Sequence, residues 1–148
     1  GGAVYVMIDP GLFGSHELST DSDIQFYGTG ANDWLGKTTV ETGDINNDAV
    51  LDLIIGAPEI DCPPPSDDQN CGKTFLFYGP IVDIESTNVG SASTTEDVSF
   101  YGENRTLSSS ALLSGHDLNN DSIDDFVVSA PKSVDDDGAI YVVFGQGM

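Results

Sequence analysis

Two stretches of the chain share one pattern: an Asp-rich turn, then an apolar run, then Ala-Pro. The first covers residues 42–58 and the second covers residues 114–131 of the 148-residue sequence. Their spacing of about 70 residues is longer than most solenoid units, and it fits a four-stranded propeller blade that carries a loop insertion. The repeat constrains the fold more than any other feature, because it predicts successive copies of one structural unit.

Shorter elements recur around these stretches, and each has the composition of a β-strand. A Gly-x-x-aromatic pattern occurs at residues 2–8, 72–78 and 138–144, and a Phe-Tyr-Gly pattern occurs at residues 26–28 and 100–102. These runs are rich in β-branched and aromatic residues and are bounded by Gly, Pro, Asp and Asn. No stretch has a sustained helical period. The sequence therefore predicts an all-β fold.

The order of these elements predicts nine strands. They form one complete four-stranded propeller-type blade with incomplete terminal blades, or about two blades in all. We assign residues 1–28 to the terminal strands of an incomplete blade, residues 29–102 to the first repeat and residues 103–148 to the second. A closed propeller needs at least four blades, so these blades must be joined by further repeats or by neighbouring copies.

The Asp-rich turns place oxygen-bearing residues at alternate positions, which is the pattern of a calcium-binding loop. Ca²⁺ prefers about six to eight hard oxygen ligands, and four side chains with one backbone carbonyl supply close to that number. The predicted ligands are Asp44, Asn46, Asp48, the carbonyl of Val50 and Asp52 in the first loop, and Asp117, Asn119, Asp121, the carbonyl of Ile123 and Asp125 in the second. Asp and Asn also favour metal-free turns, but two matching copies favour two calcium sites.

Each loop is followed by an apolar run and then by Gly56-Ala57-Pro58 or Ser129-Ala130-Pro131. Together these features resemble the FG-GAP repeat of integrin α-subunit propellers, and the resemblance covers nearly the whole chain. It implies a seven-bladed propeller in a longer extracellular chain, with calcium bound by the residues just named. The Phe-Gly of the family appears here as Leu35-Gly36 in the first repeat and as Leu107-Ser108 in the second.

Two departures from common calcium loops lie inside these turns. The twelfth position holds Ile55 or Val128, where an EF-hand has Glu. The sixth position holds Ala49 or Ser122, where Gly is usual, and a side chain there is expected to strain the turn. We therefore expect weak affinities of roughly 10⁻⁴–10⁻³ M, the range of extracellular calcium modules.

The chain is strongly acidic, with 25 Asp and Glu residues, 4 Lys and Arg residues and a net charge of −21. This charge excludes nucleic acids and anionic membrane surfaces as partners, because both require a basic footprint. Two calcium ions would reduce it only to about −17, so solubility in a salty medium is a second explanation. Membrane insertion is not expected, since no stretch approaches the roughly 20 apolar residues that a membrane helix needs.

Cys62 and Cys71 enclose a Pro-rich polar segment that is typical of an exposed loop. A disulfide between them would contribute about 2.5–3 kcal/mol on the chain-entropy model. It would also imply an oxidising compartment, so we expect the chain outside the cell or on its surface. Two free thiols are the alternative, whereas metal binding is disfavoured because no His or third Cys accompanies the pair.

No catalytic residue is predicted, because His16 and His116 lack an accompanying Ser or Cys nucleophile motif. We expect no enzyme activity and no cofactor besides Ca²⁺. Asn104 begins an N-glycosylation sequon and is a candidate glycan site in an extracellular eukaryotic protein.

The sequence therefore predicts a calcium-stabilised extracellular module for adhesion or self-assembly. Strand or blade complementation would join copies head to tail into a ring or a fibre. The alternative is a fragment of a larger secreted receptor or enzyme whose closed propeller binds a protein or glycan.

Overall fold

The structure, a computed structural model, describes residues 1–8, 11, 14–64, 69–83, 87–89, 96–103, 105–133 and 137–147. Within these residues it has ten strands, one short α-helix and one 3₁₀ turn. The strands are β1 Ala3–Val6, β2 Ile24–Gly28, β3 Val40–Gly43, β4 Asp52–Ala57, β5 Lys73–Phe77, β6 Thr87–Val89, β7 Val98–Tyr101, β8 Leu112–His116, β9 Asp125–Ala130 and β10 Ala139–Val143. The helix α1 is Leu18–Asp21, and the 3₁₀ turn is Ile81–Asp83. The predicted all-β class is confirmed.

The middle sheet is a four-stranded antiparallel blade with the order β3-β4-β5-β7. Every residue of β4 and β5 is buried. Neighbouring sheets cover both faces of these strands, so neither strand shows the regular polar alternation of a half-exposed sheet. This sheet is the complete blade that the strand order predicted.

The two flanking sheets have three strands each among the described residues. The third sheet, β10-β9-β8, is antiparallel, and no strand of the described residues pairs with the outer edge of β10. The first sheet pairs β1 with β2 antiparallel and adds β6 in parallel to β2. The incomplete terminal blades are therefore confirmed, and the array is not closed. The prediction of nine strands missed β6, and the division of the chain into three segments stays a prediction.

Two apolar clusters lie between the sheets and hold them face to face. In the first cluster, Phe26 of the first sheet packs on Phe77 of the middle sheet, with ring centroids 4.8 Å apart. In the second, Phe100 packs edge-on against Phe126 of the third sheet at 5.4 Å. Neighbouring residues of one strand point to opposite faces, which places Ile55 in the first cluster and Ile54 in the second.

The outer face of the third sheet is apolar and uncovered. Ile140 and Val142 of β10 are 71 % and 47 % exposed, whereas Thr74 and Leu76, at the same repeat positions in β5, are buried. The difference arises because the third sheet covers β5, and no described sheet covers β10. None of the described helices is long and apolar enough to cross a membrane.

Candidate metal centre

The two Asp-rich loops connect equivalent strands, β3 to β4 and β8 to β9, and they share one backbone conformation. Their fourth positions, Asn47 and Asn120, have φ of 59° and 64°. Their sixth positions, Ala49 and Ser122, have φ of 65° and 71°. This left-handed region costs a non-glycine residue about 1–2 kcal/mol, so the strain expected at the sixth position is present in both loops.

The side chains of the first loop accept hydrogen bonds from the amides of the loop itself. Asp48 N donates to Asp44 Oδ1 at 3.0 Å and to Asn46 Oδ1 at 3.1 Å. Ala49 N donates to Asp44 Oδ2 at 3.0 Å, and Val50 N donates to Asp48 Oδ1 at 2.8 Å. These bonds offset the strain at the sixth position and fix the turn.

The second loop repeats this network bond for bond. Asp121 N donates to Asp117 Oδ1 at 3.1 Å and to Asn119 Oδ1 at 3.0 Å. Ser122 N donates to Asp117 Oδ2 at 2.8 Å, and Ile123 N donates to Asp121 Oδ1 at 2.9 Å. The amide of Ser122 is the main reason that the pKa of Asp117 lies below its usual value. The sequence repeat is therefore also a repeat of side-chain geometry.

The carboxylate at the ninth position is buried in both loops. Asp52 accepts from Ile45 N through Oδ2 and from Gly79 N through Oδ1, both at 2.9 Å. Asp125 accepts equivalently from Leu118 N at 2.7 Å and Gly145 N at 2.9 Å.

Each of these carboxylates ties the start of its loop to a glycine two residues beyond the end of β5 or β10. Burial disfavours the charged form and raises the pKa of Asp52 above its usual value.

The loops differ in how much of each is covered. In the first loop Ile45 is 5 % exposed, whereas its counterpart Leu118 in the second loop is 51 % exposed. The third sheet covers the first loop through three hydrogen bonds. Asp44 N donates to Asp124 Oδ2 at 2.9 Å, Asp124 N donates to Asp44 O at 3.3 Å, and Gln146 N donates to Ile45 O at 3.0 Å.

The contribution of Asp124 was not predicted from the sequence. The repeat pattern consists of the residues that both loops share. Asp124 is not one of them, because the first loop has Leu51 at the same position.

The donor atoms fit calcium in their chemistry, because all of the predicted ligands are hard oxygens on flexible side chains or carbonyls. Nevertheless, no group of three or more His, Cys, Asp or Glu side chains in the described part of the chain is arranged to hold a metal ion. The hydrogen bonds explain this, since Asp44 and Asp48 face loop amides and Asp52 faces Ile45 and Gly79. Calcium binding by either loop stays a prediction.

The other predicted site residues lie elsewhere. Cys62 and Cys71 form a disulfide with their Cα atoms 5.1 Å apart, which confirms that pairing. Ile60 O accepts from Gly72 N at 3.0 Å and closes the base of the same loop. His16 and His116 are both exposed. The glycosylation candidate Asn104 lies outside the described residues.

Three mainly antiparallel sheets stacked face to face, with the same Asp-rich loop in two of them, define an array of propeller-type blades. Residues 109–143 match the family described as the FG-GAP repeat. This segment contains β8, the second loop, β9 and β10. The third sheet with its loop is therefore similar to an FG-GAP repeat, as the sequence pattern indicated.

Relatives of known identity support the same assignment. Human integrin alpha-X is 27% identical over 118 residues, which are 76% of this chain and 9% of the relative. Human integrin alpha-D is 28% identical over 103 residues, or 67% of this chain and 8% of the relative. Mouse integrin alpha-X is 24% identical over 140 residues, which are 90% of this chain and 10% of the relative. The chain thus spans about a tenth of the length of these relatives.

Proposed function

We propose that this chain is a non-enzymatic, calcium-stabilised module that works outside the cell in adhesion or assembly. The observation that carries this proposal is the repeat of one loop, with the same oxygen donors and the same hydrogen bonds, in two successive sheets. The similarity to integrin α-subunits supports an adhesive role. The disulfide supports an oxidising compartment, because such bonds are rare where thiols are kept reduced.

Calcium would act as a structural ion. Asp44, Asn46, Asp48, Asp52 and the carbonyl of Val50 would hold it in the first loop, and the equivalent residues of the second loop would hold another. A bound ion would supply the positive charge that offsets three carboxylates in one turn, in a chain with net charge −21. Each loop joins two neighbouring strands of one sheet, β3 to β4 or β8 to β9. An ordered loop would therefore fix the start of β4 or β9.

Calorimetric titration with Ca²⁺ and thermal unfolding in Ca²⁺ or EGTA test this proposal. We expect two binding events in the wild type and one in each of Asp48→Ala and Asp121→Ala. Asp23→Ala is a matched control: the Asp23 carboxylate also accepts a backbone amide, from Ile8 at 2.7 Å, but Asp23 lies outside both loops, directly before β2. Binding should survive in the control. A wild type whose unfolding responds to neither Ca²⁺ nor EGTA would refute the calcium assignment.

The uncovered outer face of the third sheet supports the assembly part of the proposal. Leu113, Ile140 and Val142 are all exposed there, and apolar groups clustered on one face mark an interaction surface. The opposite end of the array presents the edge-on pair of Tyr5 and Tyr27. Head-to-tail stacking of copies would bury the first face against the second and extend the blade array.

Sedimentation analysis in calcium-containing buffer tests self-assembly. We expect wild-type oligomers that Ile140→Asp dissociates, while Leu18→Asp, which changes an exposed Leu of α1, leaves them intact. A wild type that is monomeric at every concentration would refute self-assembly.

That result would favour the second candidate, a module of a larger secreted receptor or enzyme whose closed propeller binds a protein or glycan. The length of the integrin relatives, of which this chain spans about a tenth, supports the second candidate.

A further inference from the structure

We infer that Asp124 is a positioning residue that couples the two loops, so that calcium binding in one strengthens calcium binding in the other. The inference rests on the proposed calcium function. It starts from a reciprocal pair of hydrogen bonds between sheets: the Asp124 carboxylate accepts from Asp44 N at 2.9 Å, and Asp124 N donates to Asp44 O at 3.3 Å. Asp44 is the first predicted ligand of the first loop.

The backbone beside this pair is built for close approach. A Cβ added at Gly43 would lie 2.7 Å from Ser114 Oγ and 3.1 Å from Gly115 N, both in β8. Glycine at this position therefore lets the third sheet reach the first loop. Gln146 N adds a hydrogen bond to Ile45 O at 3.0 Å, so the third sheet holds the first two residues of the loop.

Asp124 also belongs to the second loop, where it lies between the predicted ligands Ile123 and Asp125. An ion bound in the second loop would restrict the backbone of Asp124, and Asp124 in turn holds Asp44. A ligand that orders a shared element lowers the ordering cost for the next ligand, which produces positive cooperativity. Linkage makes the effect reciprocal, so each loop should strengthen the other by the same factor.

This coupling is particular to Asp124 and Gln146 and is not a general property of the repeat. Leu51 occupies the position of Asp124 in the first loop, and its apolar side chain is mostly exposed. Pro80 occupies the position of Gln146, and proline has no N–H to donate. The middle sheet therefore has neither the carboxylate nor the N–H group with which Asp124 and Gln146 hold the first loop.

Calcium titrations of single-loop variants measure the coupling. Asp121→Ala leaves only the first loop competent, and we expect its affinity to be about fivefold or more weaker than that of the same loop in the wild type. Asp48→Ala should weaken the second loop by the same factor. Asp124→Ala should abolish this dependence while both loops still bind, and Asp124→Asn, which retains an acceptor oxygen, should retain most of it. Asp23→Ala controls for loss of one negative charge.

Amide hydrogen exchange gives a second readout that needs no change at Asp124. In Asp48→Ala, Ca²⁺ can load only the second loop, and loading should slow exchange of the Asp44 amide severalfold through the bond to Asp124. Unchanged exchange would overturn the inference. So would single-loop affinities equal to those of the wild type, although two-site binding would then leave the calcium function intact. A wild type that binds no Ca²⁺ would overturn both.

Discussion

A buried ion pair at the edge of the middle sheet gives the sharpest test of how this fold is stabilised. Lys73 Nζ lies 2.5 Å from Glu96 Oε1, and the two side chains are 0 % and 3 % exposed. The same ammonium group lies 4.5 Å from the ring centroid of Phe75 and 4.8 Å from that of Tyr101. No described residue donates a hydrogen bond to Glu96 Oε2. Both members of the pair are therefore removed from water.

Removing one member of such a pair leaves an uncompensated charge in the interior. We therefore expect Glu96→Gln to lower the free energy of unfolding by about 3–5 kcal/mol. For a chain of this size, each kcal/mol lowers Tm by about 2–4 °C, so Tm should fall by roughly 6–20 °C. Urea unfolding followed by far-UV circular dichroism measures the free energy, with Ca²⁺ held constant.

Replacing both members together should have a much smaller effect. Lys73→Met/Glu96→Leu removes both charges and fills the space with apolar groups, and such replacements of buried pairs are often neutral or stabilising. The equivalent strand positions already hold Ala3 and Ala139, so the fold does not require a cation there. If the double variant is as unstable as Glu96→Gln, the loss comes from packing and our reasoning is refuted. A loss below about 1 kcal/mol in Glu96→Gln would show that the pair is solvated.

Three further predictions concern the disulfide, the core and the ion. Cys62→Ser/Cys71→Ser should lower the free energy of unfolding by about 2.5–3 kcal/mol in urea, and a reducing agent should have no further effect on that variant. Phe126→Ala should cost about 3–5 kcal/mol because its ring is fully buried between sheets, whereas Val142→Ala on the exposed face should cost below about 1 kcal/mol in the same assay. Ca²⁺ at a hundred times the Kd should stabilise the native state by about 2.7 kcal/mol per site, and a calorimetric Tm that stays constant as Ca²⁺ rises would contradict this.

The strands could be predicted because their pattern recurs in the chain. The apolar runs that became β4 and β9 follow equivalent loops, and two matching copies distinguish a strand from a chance apolar segment. The strand β6 has no such copy. It has only three residues, Thr87–Val89, and its pairing with β2 joins segments about 60 residues apart, which no local pattern records.

The two Asp-rich loops could be recognised because they are copies of each other. The contact between them could not be predicted, because it depends on a residue that differs between the copies. Asp124 differs from its counterpart Leu51, so the repeat pattern assigns no role to this position. Lys73 is a similar case, because a lone lysine in an apolar strand is expected to reach solvent. Its burial depends on Glu96, whose position follows from the packing of the whole sheet. Features that differ between repeats are set by long-range contacts, and those contacts are absent from a single sequence.

The unequal cover of the two loops has a consequence for the rates at which ions would exchange. An ion bound in the exposed second loop would face water, and it would leave without any movement of the sheets. The bonds from Asp124 and Gln146 restrain Asp44 and Ile45 at the start of the first loop, so an ion there would leave more slowly. Two loops with nearly the same sequence would thus become a fast site and a slow site. A chelator would empty the array in order, beginning at the uncovered end.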